Sequence, residues 1–460
     1  MEETSRLLAS EKREVVPQHE HAIPRRVYVS NKRIATAITL FFIVTTLHLL
    51  SLLPSRPVHG AFLKRSTVEQ RAQNILKETP LIDGHNDLLI TLRSAYKNHI
   101  YSPDFKEKFE NGGFISHVDL PRLDAGKQGG AFWSAFMPCP AGNGTDFSDT
   151  RYQPIVKATL EALDLFNRLG DQYPKYFTLT PDSRSALEAF KAGRLISPVI
   201  IEGLHQIGNS LSTLRLYHEL GVRYATLTWN CHNKYADAAI ESNDSGGRIA
   251  TPYWHGLSPA GRDLVKEMNR LGMLVDLAHV SADTMRDVLV GNGTGNWTGS
   301  IAPPIFSHSS AYALCPHPRN VPDDVLQLVK QRNSIVMVNF NPGFISCVSG
   351  EEGELPTTDP ENATMAQVIR HIKHIGELIG YDHVGLGTDY DGIDSTPKGL
   401  EDVSKFPDLV AELLREGISD DDVAKITGKN ILRVWKEAEK VAAELQETTD
   451  PLEDDVTDPW

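Results

Sequence analysis

Eight short, nearly unbroken apolar runs between positions 81 and 389 constrain this chain more than any other feature of its sequence. They lie at 81–87 (LIDGHND), 131–137 (AFWSAFM), 198–203 (PVIIEG), 224–230 (YATLTWN), 273–279 (MLVDLAH), 304–308 (PIFSH), 334–340 (SIVMVNF) and 384–389 (VGLGTD). A strand that is apolar on both faces belongs in a parallel sheet covered by helices; a sheet with one wet face would alternate. Helix signals fill most of the gaps. One helix runs over 213–220 and stops at Gly221. Another opens at Ser258-Pro259 and closes at Gly272, with cap, first-turn proline and terminal glycine in place. Ser281, Asp323 and the stretch 361–380 begin or contain others. Eight buried strands with intervening helices predict an α/β fold, a (β/α)8 TIM barrel. An open doubly wound sheet is the alternative, disfavoured because no glycine-rich phosphate loop follows the first strand.

The 460 residues hold one such barrel with extensions at both ends. A formal charge of −14 argues against a nucleic-acid partner, which would need a basic footprint. Residues 34–53 contain no Asp, Glu, Lys or Arg and are long enough for a transmembrane helix. Arg25, Arg26, Lys32 and Arg33 precede that segment, so 1–33 is expected to be cytoplasmic and everything after 53 outside the cytosol or in a lumen. A cleaved signal peptide is the competing reading, disfavoured by the long polar leader. Residues 54–66 read as a stalk, Ser66 and Glu69 fit a capping box opening a short helix, 67–445 is the barrel, and the acidic tail 446–460 is expected to be mobile. Sequons at Asn143, Asn243, Asn292, Asn296 and Asn362 all follow the apolar segment and suit a surface glycoprotein. The four cysteines (Cys139, Cys231, Cys315 and Cys347) contain no C-x-x-C and are expected to form two disulfides, with three connectivities open.

In a barrel, reacting groups gather where the strands end. The first run ends His85-x-Asp87, the third in Glu202, the fifth in His279, the sixth in His308 and the eighth in Asp389. Three histidines and three carboxylates around one mouth suit a pair of zinc-like ions, with one carboxylate bridging them. His85 and Asp87 are two apart, so strand alternation puts both on one side. Each residue also has a plain structural reading: a strand-end histidine bonded to backbone, Asp87 a helix cap, Glu202 with Gly203 a turn, Asp389 part of a TDYDG turn. Their coincidence at one rim favours the metal site. His117, His218, His255, His371, His374 and His383 lie in predicted helices or loops and are assigned no role.

Residues 67–440 resemble the membrane dipeptidase (renal dipeptidase) family. The resemblance rests on DGHND at 83–87, IEG at 201–203, GVRYATLTWNC at 221–231, VDLAHVS at 275–281 and FSHSSA at 306–311. It continues through RNVPDD at 319–324, VNF at 338–340, GTDYDG at 387–392 and GLEDVSKFPDL at 399–409. It implies a barrel metallopeptidase with two zinc ions that hydrolyses dipeptides, including those with a D-residue at the carboxyl end. By this resemblance His85 and Asp87 would hold one zinc, His279 and His308 the other, and Glu202 would bridge. Asp389 would take and return the proton, and Arg319 would hold the substrate carboxylate. Cys139 would pair with Cys231, and Cys315 with Cys347. The family's animal members end the fourth strand in a histidine that contacts the oxyanion; here that place is Trp229, with one N–H donor and no acceptor. His232, three residues on, stands past Cys231. Animal members also carry a lipid anchor at the carboxyl end, where this chain has no apolar run. The competing functions are a catalytically silent surface glycoprotein that keeps the barrel for binding, and a related amidohydrolase acting on lactones or phosphoesters. The sequence leaves a homodimer open.

Overall fold

The computed structural model describes residues 31–51 and 66–455, apart from 143, 243–246, 294 and 352. The chain separates into two units, Met1–Arg65 and Ser66–Trp460. In the first, Asn31–Ser51 is a 21-residue helix. Among the described residues no helix is long and apolar enough to cross a membrane. The span expected over 34–53 runs past them, and within them Thr36, Thr39, Thr45, Thr46 and His48 cut the unbroken apolar run to 40–44. Thr39 and Thr45 turn their hydroxyls back onto helix carbonyls, of Ala35 at 2.8 Å and Phe41 at 2.7 Å. Most of the expected tail 1–33 and of the stalk 54–66 lies outside the described residues, as do the sequons Asn143 and Asn243.

The second unit is the expected TIM barrel. Its strands are β1 (Ile82–Asn86), β2 (Gly130–Ser134), β3 (Val199–Glu202), β4 (Val222–Thr226), β5 (Leu274–Asp276), β6 (Ile305–Phe306), β7 (Ile335–Val338) and β8 (Val384–Leu386). Each pairs in parallel with the next, and β1 closes on β8 through Asp83 and Leu386. Side chains alternate between two cores. Ile82, Phe132, Ile200, Tyr224, Leu274, Ile305, Ile335 and Met337 fill the barrel interior. Val199, Ile201, Val275, Phe306, Val336 and Leu386 face the surrounding helices. Trp435, on the helix Asn430–Gln446, packs into the interior cluster beside Phe132. By this alternation Glu202 shares the inward face of Ile200.

Local chemistry sets the helix boundaries. Ser258 accepts from the Gly261 N–H, Pro259 occupies the first turn, and Gly272 ends the helix Pro259–Leu271 in the left-handed region at φ 77°. The first helix of the barrel starts one residue later than the sequence suggested: Thr67, not Ser66, caps Val68–Glu78, and Gln70 closes the capping box. The helix expected over 213–220 begins slightly earlier. It spans Leu211–Glu219, and Ser210 caps it by accepting from the Thr213 N–H. The acidic tail meets the barrel at this helix. Asp454 accepts from the Leu211 and Ser212 N–H groups at 2.9 and 2.8 Å, at the N-terminus of that helix, where a carboxylate is favoured.

Candidate metal centre

The predicted residues converge at the C-terminal mouth of the barrel. β1 pairs with β2 through an irregularity between Asp83 and Asn86, and Asp87 already stands at the cap of the helix Leu88–Tyr96. Strand alternation is therefore not what joins His85 and Asp87; the bulge and the turn into the helix do so, bringing His85 Nε2 to 3.1 Å from Asp87 Oδ2. Glu202 faces two ways. Its Oε1 lies 2.9 Å from His279 Nε2 and 3.5 Å from His308 Nε2, and its Oε2 lies 3.6 Å from His85 Nε2. Ligand atoms of His85, Glu202 and His308, and of His85, Asp87 and Asp389, lie within 4.8 Å of one another.

Partners that the sequence reading missed fix the proton on each imidazole. The Tyr224 hydroxyl donates to the Gly84 carbonyl at 2.9 Å, so with its one proton committed it accepts from His85 Nδ1–H at 2.7 Å. Ser307 Oγ donates to buried Asp276 at 2.7 Å and in the same way accepts from His308 Nδ1–H at 2.8 Å. Asn230 Oδ1 accepts from His279 Nδ1–H at 2.8 Å. The Nε2 lone pairs of His279 and His308 are thus left bare and turned inward, the arrangement that outer hydrogen bonds give to ligating histidines. His85 Nε2 instead faces the carboxylates of Asp87 and Glu202. Burial there is outweighed by Tyr224 and these two carboxylates, which hold that ring well above the usual histidine range. His279 Nε2 and His308 Nε2 face each other at 2.9 Å, and two bare lone pairs at that distance repel unless a cation lies between them. Burial, then the nearby positive charges, pushes both rings well below the usual histidine range and keeps them neutral.

Buried carboxylates complete the cluster. Burial raises Glu202 to about 7, opposed by His85 and reinforced by Asp87 and Asp389. Burial likewise raises Asp389 to about 6, and Asn339 Nδ2 donates to its Oδ2 at 3.1 Å. Asp87, Glu202 and Asp389 put three carboxyl groups into one buried cluster, and their mutual repulsion is what a bound cation would offset. Imidazole and carboxylate donors together fit a zinc-like divalent ion. His279 and Asp389 hold φ of 67° and 65°, a conformation that non-glycine residues keep only where their surroundings impose it.

Arg319 is 1% exposed, and its Nε, Nη1 and Nη2 have no hydrogen-bond partner. It stacks on Phe344, 5.1 Å from the ring centre. Burial lowers it only to about 10, so it keeps its charge. Together with Asp87, Glu202, Trp229, His279 and Asp389 it lines a cavity of ≈ 240 Å³. Trp229 lies three residues beyond the end of β4, its ring 4.8 Å from Phe136 and 6.3 Å from His279. Disulfides join Cys139 to Cys231, across the loops after β2 and β4, and Cys315 to Cys347, across those after β6 and β7. Two of the histidines assigned no role are tied to the backbone: His371 to Ala311 and Ile345, and His383 to Ser334.

Residues 69–449 match the family described as membrane dipeptidase (peptidase family M19). Dipeptidase aclJ of Aspergillus oryzae is 45% identical over 396 residues, covering 86% of this chain and 85% of the relative. An uncharacterized dipeptidase of Schizosaccharomyces pombe is 44% identical over 393 residues, 85% of this chain and 88% of its own. Among solved structures, a metallopeptidase from Rhodobacter sphaeroides liganded with a phosphinate mimic of L-Ala-D-Ala superposes with a TM-score of 0.62. It is 25% identical and covers 78% of this chain and 99% of its own.

Proposed function

The chain belongs to the membrane dipeptidase family, and on that premise we propose that it hydrolyses dipeptides at a centre of two zinc ions. The observation that carries the proposal is a buried guanidinium without a partner, sharing one small cavity with His279 and the two-faced carboxylate of Glu202, where the Nε2 atoms of His279 and His308 face each other at 2.9 Å. His85 and Asp87 would hold one ion and His279 and His308 the other, with Glu202 placed between the two pairs. The chemistry such ions would supply there is polarisation of the scissile carbonyl and acidification of a water.

The chain's own residues supply the rest. Arg319 pairs with the substrate carboxylate; the planar fork suits that group, and its burial strengthens the pairing. Asp389, poised near neutrality by burial, takes a proton and returns it to the leaving amine, while Asn339 holds its other oxygen in place. Trp229 forms part of the wall and offers its single N–H where charge develops on the carbonyl oxygen. The mimic of L-Ala-D-Ala bound by the Rhodobacter metallopeptidase suits a clamp that grips the carboxylate rather than the side chain. Two disulfides among the rim loops and exposed sequons at Asn292, Asn296 and Asn362 support a barrel that works outside the cytosol.

Arg319→Ala provides the test. Leaving the carboxylate unpaired raises KM for dipeptides about 100-fold, with less effect on kcat. Dipeptide amides, which lack that carboxylate, respond little. Purified protein with about two equivalents of zinc and chelator-sensitive turnover supports the proposal, whereas metal-free protein with no turnover after zinc addition overturns it.

A further inference from the structure

A second cavity of ≈ 670 Å³ adjoins the first, and the two share Trp229 and Asn230. Its walls include Tyr152, His232, Glu241 and Arg248. In barrel order this side cleft is built from the loops after β2 and β4, which flank β3, whereas Arg319 and Phe344 follow β6 and β7 on the other side of the ring. A dipeptide with its carboxylate on Arg319 and its scissile carbonyl above Glu202, at the end of β3, therefore points its amino-terminal residue toward the cleft.

The cleft's lining is built for a polar group. His232 is 2% exposed, and its Nε2 has no hydrogen-bond partner; Glu241 Oε1 is 3.6 Å away, beyond bonding range. The other ring nitrogen is fixed by the Ala238 N–H at 3.2 Å and lies 3.1 Å from Asp237 Oδ1. Arg248 donates to Glu241 Oε2 through Nε and Nη2 at 3.1 and 2.8 Å, which neutralises that carboxylate. Arg151, also on the wall, donates to the Pro140 and Ala141 carbonyls at 2.9 and 3.0 Å. Among the described residues, two guanidiniums against one carboxylate leave the cleft's lining one positive charge.

We propose that this cleft is the subsite for the side chain of the substrate's amino-terminal residue, and that it favours long side chains ending in an anion or a hydrogen-bond acceptor. The proposal rests on the dipeptidase reading. His232 and Arg248 are its specificity-determining residues; neither touches the scissile bond. The test compares L-Ala-L-Ala, L-Glu-L-Ala and L-Lys-L-Ala on the zinc-loaded full chain. The expected kcat/KM for L-Glu-L-Ala exceeds that for L-Lys-L-Ala about tenfold. Arg248→Glu, on the cleft's solvent side, reverses this order. Ala141→Trp, which fills the exposed wall, lowers L-Glu-L-Ala turnover about tenfold and leaves L-Ala-L-Ala within about twofold. Equal rates on the Glu and Lys substrates, or equal losses on L-Ala-L-Ala and L-Glu-L-Ala in Ala141→Trp, overturn the subsite alone. Failure to cleave any of the three overturns the dipeptidase reading, and the subsite with it.

Discussion

Tyr224 touches no substrate, yet it decides which nitrogen of His85 is free. With its proton on the Gly84 carbonyl, its oxygen can only accept from His85 Nδ1. Tyr224→Phe removes that acceptor from a packed interior while keeping nearly the same volume, so the barrel should fold. Loss of such an outer partner weakens metal binding about 10–100-fold. Competition with a zinc-binding dye reads this directly, and an unchanged affinity would show that the tautomer is set elsewhere. Protons compete for the same site. Glu202 and Asp389 are raised to about 7 and about 6 in the metal-free protein, above their unfolded values. Folded, they bind protons more readily than the unfolded chain does, so they favour folding at low pH, and that advantage is lost as pH rises through 6 to 7. The Tm of the chelated protein should therefore fall between pH 5.5 and 8 relative to a variant carrying Glu202→Gln and Asp389→Asn. The Tm gain on adding zinc should grow over the same interval, because the metal replaces those protons. A zinc gain that stays flat with pH would count against proton–metal competition at these two acids.

At the scale of elements, all eight apolar runs are strands, because burial on both faces leaves a signature that composition alone carries. What the sequence did not carry is where each strand stops. The run 224–230 continues in apolar residues through the loop, so Trp229 looked like a strand end, although β4 finishes at Thr226. The ligand candidates were legible because imidazole and carboxylate at a rim are chemically conspicuous. Tyr224, Asn230, Ser307, Asp276 and Asn339 were not, because their roles depend on which hydrogen bond each one completes, and residue type does not specify that. Close approach between strands is equally hidden. Gly387, just past β8, lies so near the Ser307 carbonyl that a Cβ would stand 1.8 Å from that oxygen. The oxygen is backbone and cannot rotate away, and Ser307 also holds His308. Gly387→Ala should therefore cost about 3 kcal/mol or more and lower metal content together with stability. Denaturant unfolding with metal analysis checks it; a variant of normal stability would mean that the two strands separate more easily than their packing implies.

The whole molecule divides its labour between a rigid interior and a rim of loops. The apolar clusters that close the barrel contain none of the cysteines' bridges, whereas both disulfides cross the mouth between loops that carry the site. Cys139–Cys231 spans 92 residues and Cys315–Cys347 spans 32, separations for which loop closure is worth about 4–5 and about 4 kcal/mol in the chain-entropy account. Spread over a domain of this size, losing one bridge lowers Tm by about 5 °C. Gentle reduction should therefore keep the far-UV spectrum of the barrel. The two bridges should not be equivalent for the metal. Cys231 follows directly on Asn230, which accepts from His279 Nδ1, and Cys139 anchors that loop from the far side of β3. Cys315 and Cys347 instead brace the loops that carry Arg319 and Phe344. Replacing Cys139 and Cys231 together by serine should speed zinc release under chelator by about tenfold, as expected for loosening an outer partner of a ligand. Replacing Cys315 and Cys347 should chiefly raise KM for dipeptides and leave zinc release near that of the parent. Equal zinc release from the two double variants would mean that the rim responds as one body, and that the metal and carboxylate ends of the site are not separately supported.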